Sequence, residues 1–227
     1  MNNNTYFKLS LINDIGRTRQ MTDEHFSVLK RFASSPKSEI RHAVAETLGM
    51  METTDASLAL LTRLAHDPNK FVASEACSSL GEVGGAACIP VLERAFNSRF
   101  YLKRGYAALS LAQVAVRVGD GQYTERLKSL LEKKLSAEKN GWTAQSIRYA
   151  LFELGDRNML KEVLNGLKSE DPDARLASAS LIELCIERHP DAESDIKAFL
   201  SGDMKVDADS YAKLLDEMGE PDTINIG

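Results

Sequence analysis

A motif of about fifteen residues recurs along this chain at close to thirty-residue intervals, and such a recurrence admits only a stacked-repeat architecture. Residues 35–49, SPKSEIRHAVAETLG, align with residues 67–81, DPNKFVASEACSSLG. Pro36 and Pro68 open the two segments, and Ile40 and Val72 follow four places later. Val44 and Ala76 sit four before the leucine of the closing pairs Leu48-Gly49 and Leu80-Gly81. The same spacing returns at Ala107, Leu111 and Ala112, at Ala150, Leu154 and Gly155, and at Ser180, Leu184 and Cys185. The leucines at 48, 80, 111, 154 and 184 lie 32, 31, 43 and 30 residues apart. The one long interval locates an insertion between Gly119 and Asn140.

Between these segments run second apolar patterns of helical period. They comprise Leu58, Leu61, Leu64 and Ala65; Ile89, Leu92, Ala95 and Phe96; Leu127, Leu130, Leu131 and Leu135; and Leu160, Val163, Leu164 and Leu167. No stretch alternates with period two, so the expected class is all-α. The pattern predicts one domain over 1–227 made of about six antiparallel helix pairs, at 22–50, 55–83, 86–117, 122–154, 157–188 and 191–218. A capping helix is expected over 4–15, and a short tail after the last pair. Asp67-Pro68 and Asp171-Pro172 read as an N-cap followed by proline at the first helical position. Gly49, Gly81 and Gly155 read as left-handed helix ends. A single pair of this size cannot bury its apolar faces, so the pairs must stack into an α-solenoid.

The repeat resembles the HEAT-like repeat named after phycobilisome lyases, whose pattern is D-P-x-x-x-V-R-x-x-A-x-x-A-L-G. Pro36, Ile40, Arg41, Leu48 and Gly49 match it, as do Asp67, Pro68, Val72, Ala76, Leu80 and Gly81. Arg104, Ala107 and Leu111 match the second half of a third copy. Later copies depart from it: Arg148 and Arg175 sit one or two places from the expected arginine, and Ser180 replaces an alanine. The resemblance implies a superhelix whose second helices line a concave face. It also implies an aspartate–arginine ladder between neighbouring repeats, with Arg41 and Asp67 as candidates. It does not fix function, because repeats of this type serve lyases, chaperones, adaptors and inhibitors alike.

The chain carries 33 acidic and 28 basic residues. Nucleic-acid binders draw their affinity from phosphate contacts and show a basic excess, so this balance argues against that class; it suits a basic partner or simply the need to stay soluble. The longest apolar stretches fall far short of the roughly 20 residues that span a bilayer. The opening MNNNTYFKLS lacks the basic and apolar regions of a secretory signal, so residence in the cytoplasm is expected. Cys77, Cys88 and Cys185 lie in apolar helical patterns outside any CxxC pair and read as buried small hydrophobes. His42 and Glu46 are four apart on one helix, but no second pair completes a metal site. The glycines of GEVGG follow a helix rather than a strand, which does not suit a phosphate loop. No catalytic residues, cofactor or metal ligands are expected.

Two clusters carry the composition of a binding hot spot, aromatic residues beside arginine. Arg99, Phe100, Tyr101, Lys103, Arg104 and Tyr106 form one, and Trp142, Arg148, Tyr149 and Phe152 the other. Partner contact is expected from Arg99, Phe100, Lys103, Arg104, Trp142, Arg148 and Tyr149; the competing reading places Tyr106, Tyr149 and Phe152 in the core. The function expected is that of a non-enzymatic, monomeric scaffold gripping another protein in its groove, as an adaptor, chaperone-like factor or immunity-type inhibitor. Resemblance supplies two alternatives: a bilin-lyase-like subunit or chromophore chaperone, and a DNA-binding protein of the alkylpurine-glycosylase type.

Overall fold

The structure, a computed structural model, describes residues 3–202. It contains α1 (Asn3–Thr18), α2 (Asp23–Phe32), α3 (Ser38–Met50), α4 (Asp55–Leu64), α5 (Lys70–Val83), α6 (Ile89–Phe96), α7 (Tyr101–Val118), α8 (Gly121–Leu135), α9 (Gly141–Glu153), α10 (Asn158–Asn165), α11 (Pro172–Arg188) and α12 (Glu193–Gly202). No strand occurs among the described residues, as the period of the apolar pattern requires for an all-α solenoid. The second helix expected in the pair 191–218, and the tail after it, lie outside the described residues.

The helices divide between two compact units, with the division after Leu131. In the first, α1, α3, α5 and α7 pack side by side in that order. Helices α2, α4 and α6 pack against α3, α5 and α7. In the second, α9 and α11 pack together and α10 lies against both.

The second helices begin at a common device. Their N-caps are Lys37, Asn69, Phe100, Asn140 and Asp171, separated by 32, 31, 40 and 31 residues. Two residues before each cap, a side chain accepts the cap's backbone N–H: Ser35 Oγ at 3.2 Å, Asp67 Oδ1 at 2.8 Å, Ser98 Oγ at 3.2 Å, Glu138 Oε1 at 3.1 Å and Ser169 Oγ at 3.2 Å. Satisfying that N–H outside the helix sets the entry angle of the chain. Arg41, Arg104 and Arg175 each stand four residues after a cap. Their guanidinium groups donate to the carbonyls of Ser35 and Pro36, of Ser98 and Arg99, and of Ser169 and Glu170.

This geometry corrects the register read from the leucines. Eleven residues after the caps stand Leu48, Leu80, Leu111, Leu151 and Ile182, each at most 1% exposed. Leu154 belongs instead to the turn that ends α9, and Leu184 is only half-buried. Arg175 is therefore in register with Arg41 and Arg104, not displaced. The N-cap of α5 is Asn69, whose side chain accepts from Phe71 N and Val72 N, so Pro68 stands ahead of the helix. Asp171 does cap α11, with Pro172 in its first turn.

Gly155 (φ 101°) ends α9 in the left-handed conformation. Gly49 and Gly81 do not; both lie within helices where neighbouring helices meet. A Cβ on Gly49 would stand 2.8 Å from Ser79 Cβ, and one on Gly81 would stand 2.7 Å from Ser110 Cβ. That approach lets Ser79 Oγ donate to Ala45 O at 2.9 Å and Ser110 Oγ to Cys77 O at 2.8 Å across the seams. The ladder implied by resemblance is present at one seam, where Arg41 Nε and Nη2 donate to Asp67 Oδ2 and Oδ1, both at 2.7 Å. That bidentate pair lifts the Arg41 pKa further above its ordinary value.

Candidate protein-binding face

Because α2, α4 and α6 cover one side of the first unit's row, the other side of α3, α5 and α7 is left to solvent. On α3 it presents Glu39, His42 and Glu46, spaced three and four apart along one helix face. On α5 the same face carries Phe71, Glu75, Ser78 and Glu82, and on α7 Tyr106, Leu109 and Gln113. Glutamates thus face one another across the seam between α3 and α5.

At that seam stands Glu75. One carboxylate oxygen lies 3.8 Å from His42 Nε2 of α3, and the other accepts from Ser79 Oγ at 3.4 Å. Its side chain keeps only 22% of its exposure. Burial pushes the Glu75 pKa up to about 7, the Glu46 charge adds to the rise, and the Ser79 hydrogen bond opposes it. Burial also holds His42 below the ordinary imidazole value, against the opposing pull of Glu46. Tyr106 of α7 is pushed up to about 12, first by burial and then by the Glu75 charge. At the outer end, Gln113 Nε2 donates to Glu82 Oε1 at 3.3 Å.

At the start of α3, Lys37 Nζ lies 3.7 Å from Glu39 Oε1; two other basic side chains nearby are turned to the backbone. Lys103 Nζ donates to Ala65 O at the end of α4, at 2.7 Å. Arg117 donates to Gly81 O at 2.8 Å, to Glu82 O at 2.9 Å and to Gly84 O, and so closes the last turn of α5. The face is consequently anionic although the whole chain is only mildly so.

Residues 2–81 and 27–112 each match the model of a family described as HEAT repeats. Residues 2–112 are HEAT repeats. The match is to HEAT repeats in general and does not single out the phycobilisome-lyase type. No curated protein matches the chain. No helix among the described residues is long and apolar enough to cross a membrane.

In the HEAT repeats of the first unit, Arg99, Phe100, Lys103 and Arg104 do meet, at the N-terminal end of α7. Phe100 packs edge-on against Phe71 and Tyr101, with ring centroids 5.4 Å apart in each case, and Lys70 Nζ stands 4.5 Å from its centre. Arg99 is exposed, whereas Lys103 and Arg104 hold backbone carbonyls. Trp142, Arg148 and Tyr149 belong to α9 in the other unit. Trp142 is 8% exposed and Tyr149 1%, and Arg148 is half-buried with Nη1 3.4 Å from Gln145 Oε1. Tyr149 packs on Phe152 and His189, and burial followed by the Glu153 charge raises its pKa. Burial removes Trp142 and Tyr149 from contact with a partner, so the hot-spot composition of α9 is that of a core.

The approach of Glu46 and Glu75 has no motif in the sequence. His42 and Glu46 stand out as a helical pair, but the partner that matters, Glu75, lies one repeat on. Its signal was the alignment itself: Glu75 stands six residues after its cap, beside His42 at five.

Proposed function

We propose that this protein is a non-enzymatic scaffold that binds a basic polypeptide on the face formed by α3, α5 and α7. The observation that carries this reading is the approach of Glu46 and Glu75 as like charges across the α3–α5 seam, near which Lys103 and Arg117 spend their charge on backbone carbonyls. A cationic partner would relieve the repulsion between these two carboxylates. Stacked helical repeats suit this role because their rigid rows present extended surfaces. Within the class, an adaptor or an inhibitor of the immunity type fits best, acting as a monomer in the cytoplasm.

The alternatives find less support. The Arg99, Lys103, Arg104 and Arg148 set, the one local match to a DNA-binding groove, is divided between two units and largely engaged by backbone and side-chain oxygens. A covalent chromophore site would need a reactive thiol. All three cysteines are buried, and burial pushes Cys77 up to about 12 and Cys185 up to about 11.

The test is affinity purification with the full chain, comparing wild type with Glu46→Lys/Glu82→Lys. Both side chains are exposed, so the fold should persist. A basic protein retained by wild type and lost by the variant is the expected result. Nucleic acid recovered equally by both would point away from this face.

A further inference from the structure

We infer that binding at the glutamate face is proton-linked through Glu75: the partner binds the ionised carboxylate and is released as that carboxyl takes up a proton. This rests on the reading of the face as a site for a basic polypeptide.

Glu75 sits where a proton is easily shared. It is wedged between α3 and α7, with 22% of its side chain exposed, 3.8 Å from His42 Nε2 and within hydrogen-bonding range of Ser79 Oγ at 3.4 Å. From α3, His42 and Glu46 face it; Glu46 is exposed and meets it as a like charge. From α7 come Tyr106 and, behind it, Tyr101, with Lys103 held on Ala65 O at 2.7 Å. From α4 the charged groups are Asp55 and Arg63, both exposed, with Arg63 Nη2 directed to Ala33 O at 3.4 Å. No arginine or lysine of these elements is ion-paired with Glu75 among the described residues, and burial holds the His42 pKa below its ordinary value.

Burial in this half-dry seam disfavours the ionised form of Glu75, and the Glu46 charge adds to that. Glu75 is raised to about 7, so the free protein at neutral pH holds its proton about half the time. An incoming ammonium or guanidinium group restores the balance. The carboxyl O–H bond breaks, the proton passes to buffer, and the carboxylate keeps the electron pair to face the new cation. Linkage requires the converse: acidification loads the proton and expels the cation. With a pKa of about 7, affinity falls about tenfold between pH 8 and pH 6, and binding at pH 7 releases about half a proton.

The experiment uses the full chain and a heptalysine peptide as probe. Calorimetry at pH 7 in two buffers of different ionisation enthalpy counts the protons released, and titrations at pH 6, 7 and 8 give the slope. Wild type should release about half a proton and lose about tenfold in affinity. Glu75→Gln should bind more weakly at pH 8 and lose both the release and the slope, whereas Glu162→Gln, on exposed α10 surface, should behave as wild type. His42→Gln tests the neighbouring imidazole, and a slope abolished there but retained in Glu75→Gln would overturn the assignment. Binding that is flat from pH 6 to 8 would overturn the linkage and leave the face intact; no binding at any pH would overturn the reading of the face. Carboxyl carbon NMR of Glu75 in the free protein separates the two without a partner: a midpoint near 7 supports the linkage, and one near 4.5 overturns it.

Discussion

Gly49 and Gly81 show how little room the seams between second helices allow. Neither has a backbone conformation that demands glycine; both are glycine because the next helix's serine occupies the space a side chain would fill. Gly49→Ala should therefore destabilise the chain by about 1–3 kcal/mol, through displacement of Ser79 and its bond to Ala45 O. Gly121→Ala, at an open position in α8, should be neutral or stabilise by up to about 1 kcal/mol. Chemical denaturation of the two variants decides whether close approach or helix ending explains Gly49. Glu75 supplies the opposite kind of constraint. Its folded pKa of about 7 exceeds the ordinary carboxyl value of 4.5, so the folded state binds the extra proton and stability from this group falls as pH rises between them. Glu75→Gln should be more stable than wild type by about 1–3 kcal/mol at pH 8, with the advantage gone by pH 4.5. A constant difference across that range would show that the carboxyl is not perturbed. Sequence could list Gly49 and Glu75 but not their neighbours, since contacts across a seam depend on a register that residue spacing fixes only to within a turn.

At the scale of the helix the fold was readable and its phase was not. The apolar period and the proline punctuation located the helix pairs. The leucine register then slipped by three residues at α9, because that helix is buried on nearly every side, from Trp142 to Phe152, and offers no amphipathic phase. The polar device at the entry, a side chain two before the cap, would have fixed it: Glu138 and Asn140 align with Asp67 and Asn69 as no leucine does. The same all-round burial explains why Trp142 and Tyr149 resembled a hot spot. Two substitutions probe these elements. Asn140→Ala should cost about 1–2 kcal/mol, since its Oδ1 caps Thr143 N at 3.0 Å and its Nδ2 donates to Asp173 at 2.9 Å. Leu80→Asp, which sets an unpaired charge at a fully buried position, should cost more than about 4 kcal/mol and abolish hydrogen-exchange protection in α5. Retained protection there would contradict the cap-based register.

At the scale of the molecule, composition announced the sign of the charge and concealed its place. A net charge of −5 on 227 residues is modest, and it says nothing of where anions gather. The gathering arises because the fold spends cations on structure: Arg41 on Asp67, Lys103 on α4 and Arg117 on α5 are all withdrawn from the field that an approaching partner meets. What remains is a group of glutamates on a rigid repeat surface, which should act on the rate of encounter more than on the lifetime of the complex. Screening distinguishes the two. Raising ionic strength from 0.1 to 1 M shortens the Debye length from about 10 Å to about 3 Å. Stopped-flow association with the basic partner, or with heptalysine, should slow by about tenfold or more, while dissociation changes by less than about threefold. Glu82→Lys should lower the association rate at 0.1 M and flatten its salt dependence without altering the fold, because the side chain is exposed. If association ignores both salt and Glu82→Lys while binding persists, the partner is steered by another surface, and the glutamate face is a consequence of how these repeats neutralise their helix ends.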